Sequence, residues 1–248
     1  LDSLRAIYAY QLFDGFIPHC SSPHFISDVT QPPLLATGLS GLTPSDEVIA
    51  EFYPRIAAGL EWNFRNRDRD GRGLLEWWIS DDPNCRSGES GMDNSPRFDT
   101  ATLLDVPDFN AFMSLECEYM AEFAGRLGRM DESQMWSQRH QKLNSLMNQW
   151  LWNPEEGIYM DRDITSGKWT EIAASSGFLP LICGAPDKEQ AARLAMHLTD
   201  PESFKTTIRI PSLSKKHHAF YNKDMWRGPM WNNVNWLIVR GLKRYGFQ

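Results

Sequence analysis

The stretch Pro107-Asp-Phe-Asn-Ala-Phe-Met-Ser-Leu-Glu-Cys-Glu-Tyr-Met-Ala-Glu-Phe-Ala-Gly-Arg-Leu-Gly128, followed by Arg129-Met-Asp131, decides the fold class. Pro107-Asp108 opens a helix, because proline fits the first turn, where its missing N–H has no partner to lose. That helix runs to about Leu127, and Gly128 suits the left-handed residue that follows a helix end. Asp131 is expected to cap the next helix, which reaches about Trp150. Two long helices with a tight joint make a helical hairpin, and the flanking sequence repeats the theme. Residues 2–13 place Leu4, Ile7, Tyr8 and Leu12 at helical spacing. Gln31-Pro32-Pro33 begins a second helix, and Thr43-Pro-Ser-Asp-Glu47 a third that continues through Phe52, Ile56 and Leu60 to about Arg65. Short helices fit residues 173–183 and 187–197, and a last one spans 228–245. Residues 151–170 read as a small β-hairpin turning at Thr165-Ser166-Gly167. With no βαβ alternation, about eight or nine helices and one hairpin make an all-α chain. Helical hairpins that keep returning close into a bundle, a solenoid or a ring. Long loops rich in Trp, Asp and Asn favour a ring with a working face.

Composition narrows the function. The 248 residues suffice for one large domain or two small ones. At 42% hydrophobic and 23% charged the chain is ordinary globular material. Its net charge of -7 offers no basic face for nucleic acid, because the short basic stretch 65–72 is balanced by Asp68 and Asp70. No apolar run reaches the roughly 18 residues of a membrane helix. The four cysteines, Cys20, Cys85, Cys117 and Cys183, are too far apart for a zinc site and read as buried free thiols of a reducing cytoplasm. The ten tryptophans fit a Trp-rich core or sugar stacking, since pyranose C–H faces pack on indole. Their placement beside polar clusters favours sugar.

Three segments carry the chemistry. Glu89-Ser-Gly-Met-Asp-Asn-Ser-Pro-Arg97 packs two carboxylates, an amide and a guanidinium into one loop. Gly91 allows close backbone approach there. An Asp in such a loop is otherwise a turn former. Met225-Trp-Arg-Gly-Pro-Met-Trp-Asn-Asn-Val-Asn-Trp236 puts Trp226 and Arg227 before a helix expected at Gly228-Pro229, with Trp231, Asn232 and Asn235 in its first turns. Indoles and amides at a helix mouth can hold a hydroxyl-rich ligand; a Trp-rich core helix with a polar cap is the plainer reading. In Thr30-Gln-Pro-Pro-Leu-Leu-Ala36, Gln31 is a cap or a sugar-hydroxyl partner.

In this order the segments resemble glycoside hydrolase family 63, and most closely its bacterial mannosylglycerate and glucosylglycerate hydrolase branch. The resemblance implies an (α/α)6 toroid that inverts an α-glucosyl or α-mannosyl linkage in a small glycoside. It implies Asp93 as general acid, with Gln31, Trp226 and Trp231 lining the sugar pocket. Gly91, Asn94, Arg97, Arg227 and Asn232 fall in the same motifs as substrate-binding candidates, Arg97 and Arg227 being cations that could meet a glycerate carboxylate. Inversion needs two carboxyl groups roughly 6.5–9.5 Å apart, and burial beside indole raises an acid's pKa. The family's base is a Glu in a loop after the last motif, and no residue before Gln248 matches it. Glu89, Glu171 and Asp99 are near the motifs only. The chain therefore reads as a partial catalytic domain over 1–248, expected to turn over poorly and to associate through an open ring. The alternatives are a non-catalytic sugar binder and a helical interaction module. No cofactor is assigned. Asn66-Arg-Asp-Arg-Asp-Gly-Arg-Gly-Leu-Leu-Glu76 matches a calcium loop at positions one, three, five and six, but its closing acid stands at eleven instead of twelve, and an inter-helix turn is the preferred reading.

Overall fold

Helix α4 (Pro107–Arg126) is the pivot of the molecule: every residue from Pro107 to Cys117 is buried, so no face of its first three turns meets water. A helix buried all round must satisfy its polar groups internally. The computed structural model, which describes residues 1–247, shows how. Around α4 stand α5 (Met130–Trp150), the short α2 (Leu35–Ser40) and the long α3 (Asp46–Asn66). A 3₁₀ segment (Ser175–Cys183) also packs on α4 and carries α7 (Asn232–Arg244) on its other side. Helices α1 (Asp2–Ala9) and α6 (Lys188–His197) complete the set. The described residues thus hold seven α-helices and four 3₁₀ segments, with three two-stranded ladders. The fold is all-α, as expected. Among the described residues no helix is long and apolar enough to cross a membrane.

The long elements start and stop where their ends dictate. Ser45 caps α3 through a bond from the Val48 N–H, and Asp187 with Gln190 forms a reciprocal capping box on α6. Gly128, at φ 73°, closes α4, with the next N–H reaching back to Ala124. Other boundaries differ from expectation. Asp131 lies inside the first turn of α5, whose cap position is Arg129. Helix α2 starts at Leu35, so Gln31-Pro32-Pro33 is extended chain leading into it. Gly228-Pro229 precedes α7 rather than opening it, and Met230 makes a β-bridge to Pro211. Residues 175–183 wind as 3₁₀, with Pro180 removing a helical N–H midway. The expected turn at 165–167 is present, with Arg162 bridging Trp169 antiparallel across it, and two further ladders flank it: Trp152-Asn153 pairs with Ile158-Tyr159, and Arg162-Asp163 pairs with the distant Leu104-Asp105.

All four cysteines are unpaired, but only Cys117 and Cys183 are buried; Cys20 is exposed and Cys85 half-buried. Tryptophan divides likewise. Trp77 and Trp136 are fully buried, Trp77 stacked on Phe109 at 3.8 Å, whereas Trp78, Trp169 and Trp236 are exposed.

Candidate active site

The buried polar residues of α4 hold the working loops from beneath. Asn110 pairs its side chain with both the N–H and C=O of Leu75, fixing the segment that follows α3. Asp108 receives the indole N–H of Trp77 at 3.1 Å and a two-pronged bond from Arg97 at 2.9 Å. Glu116 accepts the N–H groups of Ala36 and Thr37 and the Thr37 hydroxyl at 2.7–2.8 Å. A carboxylate at a helix N-terminus satisfies donors that have no intrahelical partner. Here it anchors α2, and with α2 the Gln31-Pro32-Pro33 segment. Beside Gln31 lies a cavity of about 210 Å³, with Thr30, Leu60, Asn63 and Glu116 on its wall.

Burial pushes the Glu116 carboxyl up to about 7, even though the bonds from Thr37 and Ala36 pull it down. The unfolded chain holds that proton only near the ordinary 4.5. The native state therefore binds the proton more tightly, and its stabilising contribution is complete below pH 4.5 and declines as pH rises towards 7. The decline is of order 3 kcal/mol. Urea titrations across this window are expected to show wild type losing more stability than Glu116→Gln, whose side chain cannot ionise; parallel curves would refute the assignment.

Glu89 ties the next layer. Its side chain is fully buried, takes both prongs of Arg67 at 2.6 and 2.9 Å, and accepts the N–H groups of Thr30 and Trp78. One carboxylate thus binds the end of α3, the segment before Gln31 and the 3₁₀ turn Gly88–Ser90 together. Gln31 donates to the Gly88 carbonyl at 2.9 Å and lies against Gly91, where an added Cβ would sit 3.7 Å from its Oε1. Gly91 has φ 68°, the left-handed region that favours glycine.

Asp93 follows, half-buried, with its backbone carbonyl bound by the Ser87 N–H. Among the described residues no donor reaches its carboxylate. Its charge is felt next door: burial first, and Asp93 second, push the Cys85 thiol up. On the other flank Asn94 is the joint with the distant motif. Its Oδ1 accepts the Trp226 N–H at 3.0 Å, its Nδ2 donates to Asp224 at 2.8 Å, and its carbonyl accepts from Arg227 at 3.0 Å. Trp226 is buried and stacks on the half-buried Trp231, ring centroids 4.3 Å apart and planes 8° from parallel. The Trp231 indole N–H is bound to the Met225 carbonyl. Lys223 and Met225 carry positive φ values of 60° and 40°, so this approach to Trp226 is a strained turn.

The structure therefore gathers Gln31, Gly91, Asp93, Asn94 and Trp226 along one continuous set of contacts. It does not do so for all the candidates. Arg97 has no side-chain exposure: its guanidinium lies between Asp108 and Asp161, so it cannot meet a ligand, and the substrate contact expected of it is corrected to an internal ion pair. Arg227 engages Asp99 through two bonds of 2.7 and 2.8 Å but keeps a partly exposed side chain. Asn232 is exposed on the first turn of α7, and Asn235 is bound to the Arg209 carbonyl. Sequence reasoning missed Arg67, Asp108, Glu116 and Asp161. A Glu on an otherwise apolar face at 116 was the readable signal; the other three needed the long-range pairing.

Comparison with known proteins decides the family. The profile of the mannosylglycerate hydrolase MGH1-like glycoside hydrolase domain matches residues 1–248. The chain belongs to that family. A mannosylglycerate hydrolase of Rubrobacter radiotolerans is 31% identical, the match covering 90% of this chain and 64% of the relative. Mannosylglycerate hydrolase MGH1 of Selaginella moellendorffii is 25% identical over 99% of this chain and 65% of its own length. The chain thus spans between 64% and 66% of the curated relatives it matches. The solved GH63 mannosylglycerate hydrolase of Thermus thermophilus in complex with glucose superposes with a TM-score of 0.82 at 25% identity, over 98% of this chain and 74% of that one. Neutral trehalase Nth1 of Saccharomyces cerevisiae, 16% identical with a TM-score of 0.67, shares the fold. The helical architecture of this family is that of the toroid-type glycosidases, in keeping with the resemblance read from the motifs.

Proposed function

We propose that residues 1–248 are part of the catalytic domain of an inverting glycoside hydrolase that cleaves an α-mannosyl or α-glucosyl linkage in a small glycoside such as mannosylglycerate or glucosylglycerate. Asp93 is the general acid, and Gln31, Gly91, Asn94, Trp226 and Trp231 shape the sugar pocket. The observation that carries this reading is the unengaged Asp93 carboxylate, set between the Gln31–Gly91 contact and the Asn94–Trp226 joint. The solved relatives, one in complex with glucose and one with Tris and D-glycerate, support the substrate class. Of the two cations considered for a glycerate carboxylate, only Arg227 remains partly exposed. Four unpaired cysteines support a reducing compartment such as the cytoplasm.

Two of the three carboxylates near the motifs are held by arginines, which argues against either as the water-activating base. Glu89 is sealed by Arg67, Asp99 is paired with Arg227, and Glu171 is exposed in the groove beside Lys216 and His217. Proton NMR of the hexose released from α-mannosylglycerate and α-glucosylglycerate at high protein concentration tests the reading. The first-formed sugar should be the β-anomer; an α-anomer would reject inversion, and absence of both turnover and saturable hexose binding would reject the whole assignment. The engagement of Glu89 and Asp99 by arginines also favours a second reading, a sugar binder without catalysis, which predicts hexose binding with no turnover.

A further inference from the structure

We propose that Asp224 is a positioning residue for the sugar pocket: by fixing the side-chain amide of Asn94, it seats the Trp226–Trp231 stack beside Asp93. The proposal rests on the pocket reading given above. Asp224 stands 130 residues from Asn94 in sequence, and its Oδ2 accepts from Asn94 Nδ2 at 2.8 Å. An ionised carboxylate only accepts, so the nitrogen end of the amide must face it. That leaves Asn94 Oδ1 for the Trp226 N–H at 3.0 Å. Turned over, the amide would set oxygen against carboxylate and N–H against N–H. Asn94 is buried, so neither mismatch could be relieved by water. Asp224 is exposed, and among the described residues its carboxylate is hydrogen-bonded to Asn94 alone.

The independent observation is the backbone on either side of Asp224. Lys223 and Met225 have φ 60° and 40°, a region that residues other than glycine keep only where surrounding contacts hold them. Within the turn, the Asp224 N–H donates to Asn222 Oδ1 at 3.0 Å, and the Asp224 carbonyl accepts the Arg227 N–H at 2.9 Å. The Asp224 side chain reaches outward and ties the turn to the residue next to Asp93. The same turn aims the Met225 carbonyl at the Trp231 indole N–H, 2.8 Å away. One strained turn thus carries a contact for each indole of the stack, Trp226 through Asn94 and Trp231 through Met225. Without the Asp224 tie the turn is free to relax, and both rings move with it.

Amide exchange at Trp226 and binding of mannose and glucose, both measured on the full chain, test this. Asp224→Ala should speed Trp226 exchange and weaken hexose binding, each by about tenfold, as befits one lost hydrogen bond to a charged group. The melting temperature should hold, because the side chain is exposed. Asp224→Asn, whose Oδ1 still accepts, should keep both readouts near wild type. Asn94→Asp should set two carboxylates against each other and speed Trp226 exchange. Adding Asp224→Asn to it should reverse that effect, because donor and acceptor are then exchanged across the same contact. Unchanged exchange and affinity in Asp224→Ala would overturn the proposal, and so would faster exchange with unchanged affinity. Absence of saturable hexose binding by the wild type would reject the pocket reading instead. The exchange rates, which need no ligand, would then still decide whether Asp224 sets the joint.

Discussion

If Asp93 is the proton donor proposed above, replacing it by Asn is expected to lower glycoside turnover by about 10²–10⁴-fold while leaving hexose binding and thermal stability in place. Asn matches Asp in shape and keeps the backbone carbonyl that accepts the Ser87 N–H. What it loses is the proton that a leaving-group oxygen must receive. No side-chain bond to another described residue is broken, so the change in stability should stay within about 0.5 kcal/mol. The Asn94 joint and the Trp226–Trp231 stack lie on the neighbouring residue and remain assembled. Turnover, hexose affinity and melting temperature measured on one preparation give the answer. Unchanged turnover would remove Asp93 from the chemistry. A parallel collapse of affinity would make it a binding group instead.

Arg97→Met should be the most damaging single change to stability outside the apolar core. Arg97 and its two partners have side chains at most 1% exposed. Burial alone would lower the guanidinium pKa, but Asp108 and Asp161 raise it, so the cation is secured by its partners. The Asp161 carboxyl, in turn, is pushed up because burial outweighs the pull of Arg97. Removing the arginine leaves two carboxylates uncompensated in the interior, a loss of about 3–5 kcal/mol by comparison with other broken buried pairs. Urea unfolding of Arg97→Met should show that loss, and adding Asp161→Asn should return part of it. If Arg97 instead held a substrate carboxylate, the variant would keep its stability and lose only affinity for glycerate-bearing sugars.

Local signals carried the parts of this fold that are local. The α4–Gly128–α5 hairpin, the Ser45 entrance to α3 and the Asp187 cap of α6 are written in residues a few positions apart. Gln31, Asp93 and Trp226 were singled out through the family resemblance of their motifs, and the contacts Gln31–Gly88 and Asn94–Trp226 link those motifs in space. Arg97 is misjudged from sequence because nothing near it announces Asp161, which is brought in by the adjoining Arg162-Asp163 strand and its ladder with Leu104-Asp105. Glu89 was open to the same error: beside a candidate acid it looks catalytic, and only the arrival of Arg67 makes it structural. Gly228-Pro229 carries the usual signs of a helix start, yet the bridge to Pro211 and the Ser212 hydroxyl bound by the Gly228 N–H keep it extended. Tertiary partners overrode local preference at each of these points.

The bonds from Asn94 to Trp226 and Arg227, and from Asp99 to Arg227, close loops of 128 to 133 residues. Closures of that length are slow and come late, after the hairpin around α4 has formed. On a ribosome, the Asn94–Trp226 joint cannot form until residue 227 has left the exit tunnel, although much of the surrounding framework is already translated. The same joint is a natural place for transient local opening, so amide exchange at Trp226, whose N–H is bound to Asn94, should report the forming and breathing of this contact more sensitively than any amide of α4.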